Sequence, residues 1–157
     1  MRWLERMAQA SAVLAGILLT GITLMTCVSL LGRNTIGWTL VGDFELSGAA
    51  AGAAVALFLP WCQWRRGNII VDFFTARASR PLQQRLDRTG AGLLGLCMAL
   101  MAWRTAVGGL NALRSNSGSM ILGFPEWIVY AFMVPPLVLT AVIGLVQAWR
   151  GFADEAA

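Results

Sequence analysis

The sequence contains little charge, and its charged residues are of few kinds. It has no lysine and no histidine, and only 13% of its 157 residues are charged, against about 25% in an ordinary soluble domain. The hydrophobic fraction is 57% and the mean hydropathy is +0.66. This composition excludes a disordered chain and leaves too few charged side chains to cover a water-soluble domain. It predicts an integral membrane protein, small enough to form one bundle of helices.

The chemistry of an active site is also largely missing. Without histidine, the chain lacks the commonest general base and metal ligand. Cys27, Cys62 and Cys97 fall in three separate hydrophobic stretches and form no C-x-x-C pair. They are therefore expected to be small apolar side chains rather than zinc ligands or disulfide partners. With no glycine-rich phosphate loop and no nucleophile elbow, we expect no enzyme, no cofactor and no metal site.

Four long stretches carry almost no charge, and each has the roughly 20 residues that a helix needs to cross a bilayer. The alternation over about ten residues that marks barrel strands is absent. The first stretch is also longer than the ~7–15-residue apolar region of a signal peptide. We predict an all-α membrane domain over residues 1–157, with four transmembrane helices at about 8–31, 46–64, 89–113 and 127–149.

The arginines indicate the orientation of these helices, because positive charge accumulates on the cytoplasmic side. Nine arginines lie before the first helix, between the second and third, or after the fourth. Only Arg33 and Arg114 fall in the other two connections. The split predicts a multi-pass membrane protein with both termini in the cytoplasm. It also explains the pI of 9.8, so no nucleic-acid partner is expected.

The connection between the second and third helices is more than a loop. Five large apolar residues lie within 69–74, too few to cross the membrane and too many to leave in water. They predict an amphipathic arm over about 68–88 that lies in the cytoplasmic interface. Pro81 suits the first turn of a further helix, and that helix is expected to run directly into the third transmembrane helix.

The second predicted helix begins with small residues. Gly48, Gly52 and Ala56 recur at four-residue spacing, which allows the backbone of a neighbouring helix to come close in lipid. This half of the helix therefore needs a protein neighbour. The motif leaves open whether that neighbour belongs to the same chain or to a partner.

Arg104 is the single charge inside a predicted span. An ionisable residue within the membrane is by default a functional hypothesis. A transport relay, however, normally uses several such groups, and here there is one. We therefore expect a structural role, in which Arg104 either extends towards the interface or pairs with Glu45 at the start of the second helix.

Two stretches resemble a known family in both order and spacing. One is Arg65-Arg66-Gly67-Asn68-Ile69-x-Val71-Asp72, and the other is Gly123-Phe124-Pro125-x-Trp127 followed by Tyr130. With Glu45-Leu46 before them, they resemble the small (Q-type) membrane subunit of tripartite ATP-independent periplasmic (TRAP) transporters, over about residues 14–149. One departure is Asn68, where the family often has histidine.

The resemblance implies a division of labour among three proteins. A periplasmic solute-binding protein would capture an organic acid, and a large membrane subunit would carry it inward with sodium. The small subunit would be a non-catalytic scaffold in the lipid bilayer, bound to the large one. Positions that match the family or that lie at helix contacts are then candidates for architecture and subunit contact. They are Glu45, Gly48, Gly52, Gly67, Asp72, Arg104 and Pro125.

Two functions of other classes compete with this interpretation. A self-sufficient small transporter or channel, acting as an oligomer, needs polar residues along a lumen, and only Arg104 is available. A small membrane enzyme needs paired carboxylates near one interface, where only Asp72 and Asp87 are candidates. Neither interpretation has the residues that its chemistry requires.

Overall fold

The chain forms four long α-helices, as the sequence predicts. The structure, a computed structural model, describes residues 2–38, 40–67 and 80–151. All four helices are long and apolar enough to cross a membrane, which confirms the predicted all-α membrane class. The helices are α1 (Arg2–Thr35), α2 (Asp43–Trp64), α3 (Arg80–Ser115) and α4 (Trp127–Arg150).

α3 is the longest helix, because it continues well beyond the predicted span. It begins at Arg80 and has 36 residues, which corresponds to about 54 Å at 1.5 Å per residue. Pro81 lies in its first turn, as expected, and residues 82–88 contain neither glycine nor a further proline that would interrupt it. Residues 80–88 of the predicted arm are thus helical and continuous with α3. Its remainder, residues 68–79, lies outside the described residues.

The four helices pack side by side in the order α1, α2, α4, α3. α2 packs against α1 and α4, α4 packs in turn against α3, and α1 also touches α4 at a few positions. Within the described ranges, α3 contacts neither α1 nor α2. The single bundle expected from the sequence has the form of an open row, in which α3 contacts α4 alone among the described helices. Such a row is compatible with a bilayer because lipid solvates the apolar side chains that a soluble protein would have to bury.

Small residues at the contact between α3 and α4 allow the backbones of these two helices to approach closely. A Cβ added at Gly144 would lie 3.0 Å from the carbonyl oxygen of Ala91 and 3.0 Å from the Cα of Gly95. A Cβ at Gly95 would lie 3.0 Å from the backbone nitrogen of Leu145. Only glycine at these positions leaves room for the two backbones, so this pair determines how closely α3 and α4 pack.

Successive helices run in opposite directions, so the two ends of the row are distinct. The end with the connections 36–42 and 116–126 is called the outer end. The opposite end, where α1 and α3 begin and α2 and α4 end, is called the inner end. The connection 116–126 is called the outer loop below. The buried side chains of the row are concentrated on α4, where Leu137, Thr140 and Ile143 are at most 2% exposed.

Candidate functional site

At the outer end, one carboxylate joins α2 to the outer loop. Glu45, in the first turn of α2, accepts hydrogen bonds from the backbone N–H groups of Ile121 (3.0 Å) and Leu122 (3.3 Å). Hydrogen bonds to an ionised acceptor are stronger than neutral ones. Glu45 therefore fixes the connection between α3 and α4 against the beginning of α2.

The outer loop is itself held in a defined shape by its own backbone. Ser119 N–H donates to the carbonyl of Phe124 (2.9 Å), Gly123 N–H donates to the carbonyl of Ser119 (3.0 Å), and Glu126 N–H donates to Ser117 (3.2 Å). These bonds leave the tip amides of residues 121 and 122 without a partner inside the loop. The Glu45 carboxylate supplies the acceptor that both of them need.

Gly42 completes the contact at the outer end. It precedes α2 with φ of 81°, a left-handed conformation that residues with a Cβ rarely adopt. Its open side is filled by Leu122, and a Cβ at position 42 would collide with that side chain. Both the turn and the packing against the outer loop therefore require glycine here.

Polar side chains also join α1 to α2 near the outer end. The Ser29 hydroxyl donates to the Asp43 carboxylate at 2.6 Å, and the oxygens of Thr26 and Ser47 lie 3.4 Å apart. Ser29 is 2% exposed, so this bond lies at a buried part of the contact. The first turn of α2 is thus hydrogen-bonded to α1 through Asp43 and to the outer loop through Glu45.

At the inner end, two glutamines join α2 to α4. The Gln63 side-chain amide donates to the Gln147 Oε1 at 2.8 Å, and the Gln147 amide donates to the backbone carbonyl of Gln63 at 3.2 Å. Both residues are buried, at 4% and 7% exposure. The pair places two polar groups in the contact between α2 and α4, and it fixes the register of one helix on the other.

The end of α2 is closed by the segment that resembles the family motif. Arg66 has φ of 53°, and Gly67 N–H donates to the carbonyl of Cys62 at 2.9 Å, the pattern of a Schellman cap. A Cβ at Gly67 would lie 3.2 Å from the Cys62 sulfur. Gly67 therefore serves the end of the helix, and the Arg65 guanidinium lies 5.4 Å from the centre of the Trp61 ring.

Small residues of α2 line an apolar groove of about 390 Å³ on the surface of the protein. Ala49, Ala50 and Ala53 line it together with large side chains from both neighbouring helices and from Phe124. The large side chains of α1 and α4 are Leu14, Ile17, Leu18, Ile128, Val129 and Phe132. A Cβ added at Gly48 or Gly52 would meet no atom within 4 Å. The close neighbour predicted for these glycines is therefore not found among the described residues.

The structure does not bring Arg104 and Glu45 together. Glu45 is bonded to the outer loop, and Arg104 is exposed on the far helix of the row. Among the described residues, no hydrogen bond or ion pair engages Arg104. Pro125 is exposed in the outer loop, where it pairs with Gly118 in an isolated bridge. Asp72 lies outside the described residues.

Sequence reasoning missed three contacts that organise the row: the glutamine pair, the bond from Ser29 to Asp43, and the approach of Gly95 to Gly144. A signal existed for the last of them, because Ala91 and Gly95 repeat small residues at four-residue spacing, as do Thr140, Gly144 and Ala148. Within the described parts of the chain, no group of three or more His, Cys, Asp or Glu could hold a metal ion. The polar contacts described above hold the helices together, and large apolar side chains remain exposed for contact with lipid or with another protein.

Comparison with known proteins identifies one family. A family model described as "Tripartite ATP-independent periplasmic transporters, DctQ component" matches residues 22–154. Searches of curated proteins and of solved structures return no significant match. The matched range includes α2, α3 and α4, together with the outer loop and the last part of α1, from residue 22 onward.

Proposed function

The chain belongs to the DctQ family, a component of tripartite ATP-independent periplasmic transporters, and from this premise we propose its role in the complex. As the small permease subunit, it binds the large membrane subunit and holds it in the bilayer. The large subunit carries an organic acid inward with sodium, after a periplasmic solute-binding protein has captured that acid. The chain itself binds no solute and catalyses no reaction.

The open row of helices is the observation that carries this proposal. A solute path needs walls on all sides, and the order α1, α2, α4, α3 encloses none within the described residues. Broad apolar surfaces remain uncovered: Val55, Leu93 and Phe132 are each more than 60% exposed. A scaffold presents such surfaces to a partner, whereas a carrier surrounds a central site with discontinuous helices.

The direction of the chain in the membrane follows from its arginines. Nine arginines lie near the inner end, either close to the chain termini or between the second and third spans. The positive-inside rule therefore favours the cytoplasm for the inner end. The outer end, with Glu45 and the outer loop, then faces the periplasm. There it adjoins the side from which a solute-binding protein approaches, in the inner membrane of a bacterium.

Co-purification tests this proposal. The chain should be expressed with an affinity tag together with the large membrane subunit of its transporter, and extracted in mild detergent. We expect the large subunit to be recovered with the chain at a fixed ratio. Recovery of the chain as a closed oligomer of itself, without the large subunit, would instead support a self-sufficient transporter or channel.

A further inference from the structure

Arg104 lies deep in the membrane rather than near its surface. α3 and α4 are antiparallel, with Gly95 against Leu145 and Gly109 against Tyr130. This register puts Arg104 level with about Pro135, some 3.5 residues from the middle of α4 (Trp127–Arg150). At 1.5 Å per residue, the distance from the middle of the membrane is about 5 Å.

Arg104 faces away from its own chain. The buried residues of α3, Ala91, Ala102 and Ala112 among them, mark the side that contacts α4. Arg104 follows Ala102 by two positions, which places it about 200° around the helix. Leu100, one turn earlier on the same side as Arg104, is 64% exposed, and neighbouring Trp103 is 69% exposed. This side of α3 is the free edge of the row, and it is called the α3 edge below.

Extension of the side chain towards the membrane surface would not easily bring the Arg104 guanidinium into contact with water. The Cα–Cβ bonds of a helix tilt towards its N-terminus, and the N-terminus of α3 is at the inner end. The Arg104 side chain is therefore directed towards the middle of the membrane, whereas the nearer surface of the ~30 Å hydrocarbon core lies about 10 Å away in the opposite direction. An arginine at such depth is normally paired or turned into a protein interior.

Within the described ranges, a second copy of this chain offers no carboxylate at the depth of Arg104. The acidic residues in the described ranges lie near the ends of helices or in a connection, far from the level of Arg104. They are Glu5, Asp43, Glu45, Asp87 and Glu126. By the register of α3 against α4, Glu126 lies roughly 14 Å outward of Arg104, and Asp87 is about 25 Å inward of it. The positions of these described carboxylates favour a partner carboxylate from a different protein.

We infer that the α3 edge is a docking surface for a helix of the large membrane subunit, which presents an Asp or Glu near the middle of the membrane to Arg104. This inference rests on the proposed function, since it names the residue and the chemistry of the subunit contact. The apolar side chains around Arg104 supply the packing surface, and the ion pair sets the depth and register of the partner helix.

Charge exchange tests the pair in the intact complex. Arg104→Leu and Arg104→Glu should each lower recovery of the large subunit by roughly tenfold or more, because its carboxylate is left buried and unpaired. The control is Arg114→Leu, an exposed arginine in the last turn of the same helix, which should leave recovery unchanged. One Asp or Glu of the large subunit, replaced by Arg, should restore binding to the Arg104→Glu chain.

A second measurement separates docking from a role inside the chain. Purified alone in detergent, the Arg104→Leu chain should be at least as stable as the native chain, since it loses an unpaired charge. Loss of stability in the isolated variant would overturn the inference, as would full recovery of the complex with Arg104→Glu. An intact complex with a changed KM for solute would assign Arg104 to solute binding instead. If the native chain itself fails to recover the large subunit, the proposed function fails as well.

Discussion

The side-chain amides of Gln63 and Gln147 meet at 2.8 Å in a buried contact between α2 and α4. These two helices occupy the centre of the row, and each packs against one helix at an edge of it: α2 against α1, and α4 against α3. The glutamine pair therefore stabilises the central contact, and the positions of α1 and α3 relative to each other depend on that contact. Hydrogen bonds between transmembrane helices are of modest strength, so its main effect is on register.

Loss of one glutamine should destabilise the row measurably. Gln147→Leu removes the acceptor of the Gln63 amide, and we expect a loss of about 1 kcal/mol in the free energy of unfolding, measured by denaturant titration in detergent. Gln84→Leu, at an exposed position of α3, is the matched control. In the double variant Gln63→Leu/Gln147→Leu, the loss should be smaller than the sum of the single losses. Additive losses would show that the amides do not interact.

The close contact of α3 with α4 gives a sharper prediction. Gly144→Leu places side-chain atoms where the Ala91 carbonyl and the Gly95 Cα already lie. Overpacking of this kind costs about 1–3 kcal/mol, so the unfolding transition of the purified chain should shift accordingly. Gly21→Leu makes the same change at an exposed site in α1 where a Cβ meets nothing. Equal effects at the two glycines would contradict the packing described here.

Glu45 is expected to control the order of the outer loop. Glu45→Gln removes the charge and leaves one oxygen to accept from two N–H groups, so the amides of Ile121 and Leu122 should exchange hydrogen several-fold faster. Hydrogen exchange followed by mass spectrometry over the outer loop measures this. Glu126→Gln, a neighbouring exposed carboxylate, serves as control. Unchanged exchange at 121 and 122 in Glu45→Gln would mean that other contacts hold the loop.

The orientation predicted from arginine can be tested by cysteine labelling. After replacement of the three native cysteines, single cysteines at Ser79 and Ala157 should react only with reagents that reach the cytoplasm. Cysteines at Thr39 and Ser117 should react with impermeant reagents added from the periplasm. A periplasmic signal at Ser79 would rule out the arrangement of four spans.

The helices could be predicted from sequence because each depends on a local property, a long uncharged stretch, that the bilayer itself selects. Their order in the row could not, since it depends on pairs distant in sequence, such as Gln63 with Gln147 and Gly95 with Gly144. Glu45 was identified as a structural residue from the family motif. The backbone N–H groups of Ile121 and Leu122 that donate to it belong to a loop distant in sequence, so this contact is evident only in the structure. The pairing of Glu45 with Arg104 was considered from sequence because both lie towards the outer side, but the structure separates them across the row.

The most direct test of the scaffold role is solute uptake into proteoliposomes. The purified chain alone should move no solute, with or without a sodium gradient, because its described helices enclose no path. Addition of the large membrane subunit and the cognate solute-binding protein should give sodium-dependent uptake of a carboxylate. Robust uptake by this chain alone would contradict the account.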